Sequence, residues 1–504
     1  MIFKANVIDI LSGRRSVIVN RQDAEALGLF LNDRVVLSYK KNRMTCIVEL
    51  SDSLVGKGSV GICKDLAEKL EIKSGDNVEV SLAPTPESVS YIRKKVRGAK
   101  LTAEEIKSIV KDVVASNLSD LEIASFLFAE YYHGMDMDEV EALTRAMVET
   151  GDVMELHGRV VDKHSIGGVP GNKISLLIVP IIASTELYIP KTSSKAITSP
   201  SGTADTMGVL ANVKFTLEEV KEIVQKAHGC IVWGGSLNIA PADDLFIRVE
   251  YPLRIDPESQ MLASIMAKKA AVGAQHVVLD IPIGRGTKAP TMKDGERLAQ
   301  KFIELGYRLG IDVKVGITYG GQPVGRAVGP ALEAKEALEA LINPGRASMS
   351  LIEKSISLAG LLLEASGVAF KGEGRELAKE ILFSGRALKK FREIVGLQGG
   401  NPNVKPEDIP IGEYRYEIRA PVEGYVTLVD NSAIAEIART AGAPIEKGAG
   451  VFLHAKQGHR VKKGDILMEI FAEHSSRLSQ AVKIAERRNP IVVEGMLLKS
   501  LPEY

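Results

Sequence analysis

Two loops carry the residues best suited to chemistry. One is Lys163-His164-Ser165-Ile166-Gly167-Gly168; the other runs Ser193-Ser194-Lys195-Ala196-Ile197-Thr198-Ser199-Pro200-Ser201-Gly202-Thr203. They flank an apolar run from Ile174 to Ser184. Glycines expose backbone N–H groups, hydroxyls add donors, and a lysine adds a point charge; together these make an anion site. One such loop is weak evidence, since glycine and serine also form plain turns. Two of them point to a polyanionic substrate.

The elements that must hold these loops are legible as alternation. From 160 to 400, short Val/Ile runs alternate with amphipathic helices, and Ser175–Ile182, Cys230–Val232, His276–Asp280 and Val313–Tyr319 read as strands. That pattern predicts an α/β sheet with covering helices. Residues 92–155 read as helices, with capping-box spacing at Thr102/Glu105 and Ser119/Glu122; Thr216/Glu219 opens another. The first 84 residues contain a repeat: Ala24-Glu25-Ala26-Leu27-Gly28-Leu29 with Asp33-Arg34-Val35 returns, 43 positions on, as Ala67-Glu68-Lys69-Leu70-Glu71-Ile72 with Asp76-Asn77-Val78. Each copy reads strand, short helix, turn, Val-rich strand, which predicts a small pseudo-symmetric β-barrel-like domain similar to double-psi barrels. Pro84-Thr85-Pro86-Glu87 and Pro402 to Pro410 read as linkers. The expected organisation is a barrel over 1–84 and a core over 85–410. Its helical part covers about 92–160 and its α/β part about 161–400. An α+β domain over 411–504 completes the chain. In that last domain, His454 to Gly458 and Lys463 to Leu467 resemble the hammerhead barrels of biotinyl and lipoyl carriers, without a suitably placed acceptor lysine.

Composition excludes several classes. At 504 residues the chain should hold two to four domains. Its 64 basic and 64 acidic residues balance, so no global field draws nucleic acid or an acidic membrane. Aromatics are few and not interleaved with basic residues. No signal peptide is evident, and the longest apolar run falls short of a bilayer span. Cys46, Cys63 and Cys230 are scattered, suiting neither a disulfide framework nor a zinc site. A reduced, cytoplasmic protein is expected, with no metal or cofactor; abundant Lys, Glu and Arg lean towards a thermophile.

Four motifs occur in a familiar order: Asp162-Lys163-His164-Ser165-x-Gly167-Gly168, Ser236-Leu237-x-x-Ala240-Pro241-Ala242-Asp243, Ser264-x-x-x-Lys268-Lys269 and Gln398-Gly399-Gly400. In these the chain resembles the thymidine and pyrimidine nucleoside phosphorylases over roughly 95–500. Its extension and altered second loop are similar to the archaeal branch of that family, the AMP phosphorylases. The resemblance implies phosphorolysis of AMP to adenine and ribose 1,5-bisphosphate, by a homodimer or larger homo-oligomer. It also implies that Lys163, Ser165, Ser175, Ser193 and Thr203 hold inorganic phosphate. His164 either touches the sugar or is a satisfied buried histidine.

Substrate choice should lie where the chain departs from the pyrimidine enzymes. Gly168 and the segment Ser194, Lys195, Ala196, Ile197, Thr198 and Ser199 would receive the nucleotide. The hydroxyls and Lys195 suit a 5′-phosphate, and a nucleoside would leave them unpaired. Such a site discriminates by roughly 10⁴. Lys288 stands where the pyrimidine enzymes usually carry an aromatic residue, while Arg248 and Arg254 are out of register with their base-holding arginine. Ser264 and Lys268, one helical turn apart, address the base or ribose. Asp256 is the expected general acid for the leaving base, given a pKa raised by burial or by phosphate charge. CMP and UMP are further candidate substrates. Three other readings stand beside this one: a pyrimidine nucleoside phosphorylase, a phosphoribosyltransferase, and a nucleotide-binding assembly protein on a dead phosphorylase.

Overall fold

The computed structural model describes residues 1–495 apart from Arg14, Ile197 and Thr198. The chain divides into two compact units, Met1–Gly151 with Ala240–Ser264, and Asp152–Ile239 with Ile265–Tyr504.

In the first unit the repeat becomes a closed six-stranded barrel, in the order Ile2–Ile8, Ser59–Cys63, Ser16–Asn20, Asn42–Ser51, Arg34–Tyr39, Asn77–Leu82. Its pseudo-symmetry is in the register. Lys4 pairs in parallel with Ser59, and Ile47 with Ser16, which is the same pairing with both partners moved 43 positions. Asn32 and Gly75 make equivalent turns with φ of 70° and 93°. Alternate strand residues such as Val17, Val35, Leu37, Val60, Val78 and Val80 fill the barrel. Helices Ser88–Val96, Ala103–Val114, Asp120–His133 and Met137–Glu149 follow. The boxes at Thr102/Glu105 and Ser119/Glu122 form as read. Arg34 ties the barrel to these helices, donating to Asn117 O at 2.7 Å and pairing with Glu122.

The second unit holds a parallel sheet, Asp312–Tyr319, His276–Ile283, Val161–Ser165, and a parallel pair, Ile189–Ser193 with Gly229–Trp233. The bridge Val160↔Tyr188 connects the two. One expectation is overturned: Ser175–Ile182 is not a strand but part of the helix Ser175–Ala183, buried along its whole length. A helix apolar on every side has no periodicity to separate it from a buried strand. After the 3₁₀ turn Pro406–Asp408, a four-stranded antiparallel sheet orders Ala327–Val328, Gly450–Leu453, Ile466–Ala472, Tyr414–Arg419. It therefore takes one short strand from the α/β region.

Candidate active site

The parallel register assembles the first loop. Ser165 pairs with Asp280, and Pro282 with Thr318 on the next strand. Period two puts Lys163 and Ser165 on one face of their strand, Asp162 and His164 on the other. On the Ser165 side, Asp280 is a hub. Its Oδ1 accepts Thr318 Oγ1 at 2.6 Å; its Oδ2 accepts the Ser165 hydroxyl and Asn172 Nδ2, the latter at 3.2 Å. Ser165 Oγ in turn accepts Lys163 Nζ at 2.8 Å and Asn172 Nδ2 at 3.1 Å. Lys354, from helix Met349–Ala365, brings its Nζ to 2.9 Å from Asp280 Oδ2 but makes no hydrogen bond there. Burial would raise Asp280, but Lys354, Lys163 and the Ser165 and Thr318 hydroxyls overcome it and hold the carboxyl below its ordinary range.

On the other face, Asp162 Oδ2 lies 2.5 Å from Lys269 Nζ and its Oδ1 3.9 Å from Lys191 Nζ. Burial pulls Lys163 and Lys191 each down to about 7, against the pull of Asp280 and Asp162 respectively. The half-buried His164 is held well below its ordinary range, by burial first and then by Lys269, Lys191, Lys163 and Lys268. Among the described residues, Lys163, Lys191, Lys269 and Lys354 are buried with Asp162 and Asp280 as the carboxylates among them. Four ammonium groups against two carboxylates leave an excess of two positive charges when all are ionised. A buried excess of that kind is relieved by losing protons or by taking in an anion.

The second loop is stapled from below by Asp205. Its Oδ2 accepts the Ala196 N–H at 2.6 Å and the Gly202 N–H at 2.9 Å. A Cβ on Gly202 would sit 2.6 Å from Ser194 O, so no larger residue fits that closure. Lys195 Nζ lies 4.4 Å from the centroid of the Trp233 ring, a cation–π contact that fixes its charge. Ser194 and Ser199 are exposed, Ser193 and Thr203 half-buried, the latter opening helix Thr203–Met207. Ser193 donates to Ser194 O at 3.2 Å. Ile197 and Thr198 lie outside the described residues. Ser175 is buried in the first turn of its helix.

Gly168, at φ 89°, meets the turn that bears Lys288: a Cβ there would sit 3.1 Å from Thr287 Cα. Lys288 itself is exposed. Ser264 and Lys268 are half-buried on helix Glu258–Ala271. Asp256 precedes that helix and is exposed. Asp256 and Ser264 belong to the first compact unit; the lysine-bearing loops and Lys268 belong to the second. Arg248 is engaged in the first unit, with Asp120 at 2.8 Å and Gly13 O at 3.2 Å. Sequence reading missed Asp280, Thr318, Lys354, Lys191 and Asp205 as site components. The one available signal was a carboxylate interrupting the apolar run Val277 to Ile281.

A parallel sheet edged by lysine- and hydroxyl-bearing loops places the chain in a known class. Residues 89–151 match the glycosyl transferase family helical bundle domain, 157–388 its a/b domain, and 425–492 the pyrimidine nucleoside phosphorylase C-terminal domain. Among solved structures, anthranilate phosphoribosyltransferase from Thermus thermophilus shares the fold, with a TM-score of 0.52 and 21% identity over 61% of this chain and 99% of that one. The chain is 53% identical to an AMP phosphorylase of Thermococcus kodakarensis, over 99% of both. It is 52% identical to AMP phosphorylase 1 of Archaeoglobus fulgidus, over 99% of both, and 48% identical to the Methanocaldococcus jannaschii AMP phosphorylase over their full lengths. The chain belongs to the AMP phosphorylase family.

Proposed function

We propose that this protein catalyses the phosphorolysis of AMP. The bond from C1′ to the adenine nitrogen breaks, a phosphate oxygen bonds to C1′, and the base leaves with a proton, giving adenine and ribose 1,5-bisphosphate. The observation that carries this reading is the excess of buried positive charge around Lys163, with a second, separately built anion loop beside it in the same unit. Lys163, Ser165, Ser175, Ser193 and Thr203 hold the attacking phosphate, by orientation and electrostatic preorganisation. The loop from Ser194 to Ser199, with Gly168, receives the nucleotide and its 5′-phosphate. Ser264, Lys268 and Lys288 serve the base and ribose, and Asp256 protonates the leaving base. CMP and UMP are further substrates to be compared with AMP, and the working form is a homo-oligomer.

Phosphate-dependent base release from AMP, adenosine and thymidine tests the reading directly. Release from AMP with the nucleosides nearly inert supports it. Release from thymidine or uridine with AMP inert returns the chain to nucleoside phosphorolysis.

A further inference from the structure

The hydrogen bonds at Ser165 are full. A hydroxyl has one proton and two lone pairs. The proton goes to Asp280 Oδ2, and the lone pairs take Lys163 Nζ at 2.8 Å and Asn172 Nδ2 at 3.1 Å. In this arrangement Ser165 has no proton to give an incoming phosphate. To donate, its hydroxyl must turn away from Asp280.

That turn exposes a cost at Asp280. Its Oδ2 also has two in-plane lone pairs, taken by Ser165 and Asn172, and its Oδ1 is engaged by Thr318 at 2.6 Å. Lys354 Nζ waits 2.9 Å from the same Oδ2, buried and without a hydrogen bond, because both lone pairs are occupied. A carboxylate this buried would pay heavily for a lost donor. When the Ser165 proton leaves, one lone pair opens beside an ammonium already in reach.

We propose that Lys354 is a positioning residue for phosphate: it takes the place of Ser165 on Asp280 and so releases the Ser165 hydroxyl to the anion. The exchange is conservative, one donor to Asp280 replaced by another, with the Ser165 proton redirected to a phosphate oxygen and no proton transferred. The inference rests on the reading of Lys163 and Ser165 as phosphate ligands. In this role Lys354 acts through Asp280 and Ser165 rather than on the anion itself.

The test is a double-mutant cycle between Lys354→Met and Ser165→Ala on the full-length enzyme, with KM for phosphate and for AMP measured separately. Hydrogen bonds to charged groups contribute about 1.5–3 kcal/mol, so Lys354→Met should raise the phosphate KM about ten- to hundredfold and leave the AMP KM near wild type. Lys354→Arg, which keeps a charged donor, should restore most of the phosphate affinity. Lys354→Met on top of Ser165→Ala should add little, because the hydroxyl it releases is gone. An unchanged phosphate KM in Lys354→Met, or effects of the two substitutions that multiply, overturns the proposal. Should the methionine variant fail to fold, Lys354→Gln serves in its place; its shorter neutral side chain should weaken phosphate in the same direction, and wild-type phosphate KM there overturns the proposal equally. Calorimetric binding of inorganic phosphate alone repeats the comparison without turnover. A wild-type enzyme inert towards AMP would thus refute the function while leaving the exchange at Asp280 separately measurable.

Discussion

Lys163 and Lys191 have a consequence for pH. Burial holds both near 7, whereas an anion requires them charged. Above pH 7 each neutral lysine must take up a proton before an anion is held. Affinity should then fall by up to about tenfold per pH unit for each proton taken up. Sulfate is the cleaner probe, since its charge is constant over this range while that of phosphate is not. Sulfate binding measured by calorimetry should weaken from pH 7 to 9 and show proton uptake when buffers of different ionisation enthalpy are compared; pH-independent binding without proton uptake would sink the idea. Asp256 makes a different prediction. Asparagine keeps its shape but cannot release a proton, so Asp256→Asn should lower kcat about 10²–10⁴-fold with AMP binding retained. Loss of AMP binding with kcat little changed would make Asp256 a binding residue instead.

Among the elements, the second loop depends on one short helix beneath it. Asp205, on helix Thr203–Met207, accepts from backbone N–H groups at both ends of the loop, Ala196 and Gly202. Asp205→Ala removes two charge-assisted hydrogen bonds and leaves the loop to open. The AMP KM should rise about tenfold or more while the phosphate KM stays within about threefold of wild type; equal rises in both would show that Asp205 also sets the positions of Ser193 and Thr203 on the attacking phosphate. Much of this framework was legible in the chain. Thr102/Glu105, Ser119/Glu122 and Thr216/Glu219 were read as capping boxes and form them, because a cap is a local contest that neighbouring residues decide. The 43-residue repeat likewise carried its own register. Ser175–Ala183 was misread because burial on all sides erases periodicity. The hub at Asp280 left a single trace, a carboxylate inside the apolar run Val277 to Ile281, and its pairings left none. Its partner Ser165 stands 115 positions away, and Lys354 comes from a helix whose sequence, taken alone, gives an ordinary lysine.

For the whole molecule, net charge is zero and no long-range field is expected, so its electrostatics reside in buried groups, and these set how stability varies with pH. In the second compact unit, burial lowers Lys163, Lys191 and Lys456 to about 7 from an ordinary 10.5. Between those values the unfolded chain binds more protons than the folded one, so stability rises with pH, by about 1.4 kcal/mol per pH unit for each full proton of difference. Glu333, raised by burial to about 7 from 4.5, works in the opposite sense, and its stabilisation is already largely lost by pH 7. Above pH 9 the buried thiol of Cys230, pushed up by desolvation, begins to count against the fold. The window from pH 7 to 9 is therefore the informative one. The single tryptophan of the chain, Trp233, lies in this unit and reports its unfolding selectively. Guanidinium unfolding followed by tryptophan fluorescence in phosphate-free buffer should show a midpoint that climbs from pH 7 to 9. Saturating sulfate should flatten that climb, because an anion keeps Lys163 and Lys191 charged in the folded state. The first unit should behave in the opposite way. Burial, with Glu250 nearby, raises Glu130 to about 8, so the stability it contributes is full below pH 4.5 and is lost as pH rises through 8; Glu130→Gln should remove that slope, as read by hydrogen exchange in helix Asp120–His133. A tryptophan-detected midpoint that falls steadily from pH 7 to 9 would mean that the buried lysines remain charged without an anion, and that the site is balanced by something other than its substrate.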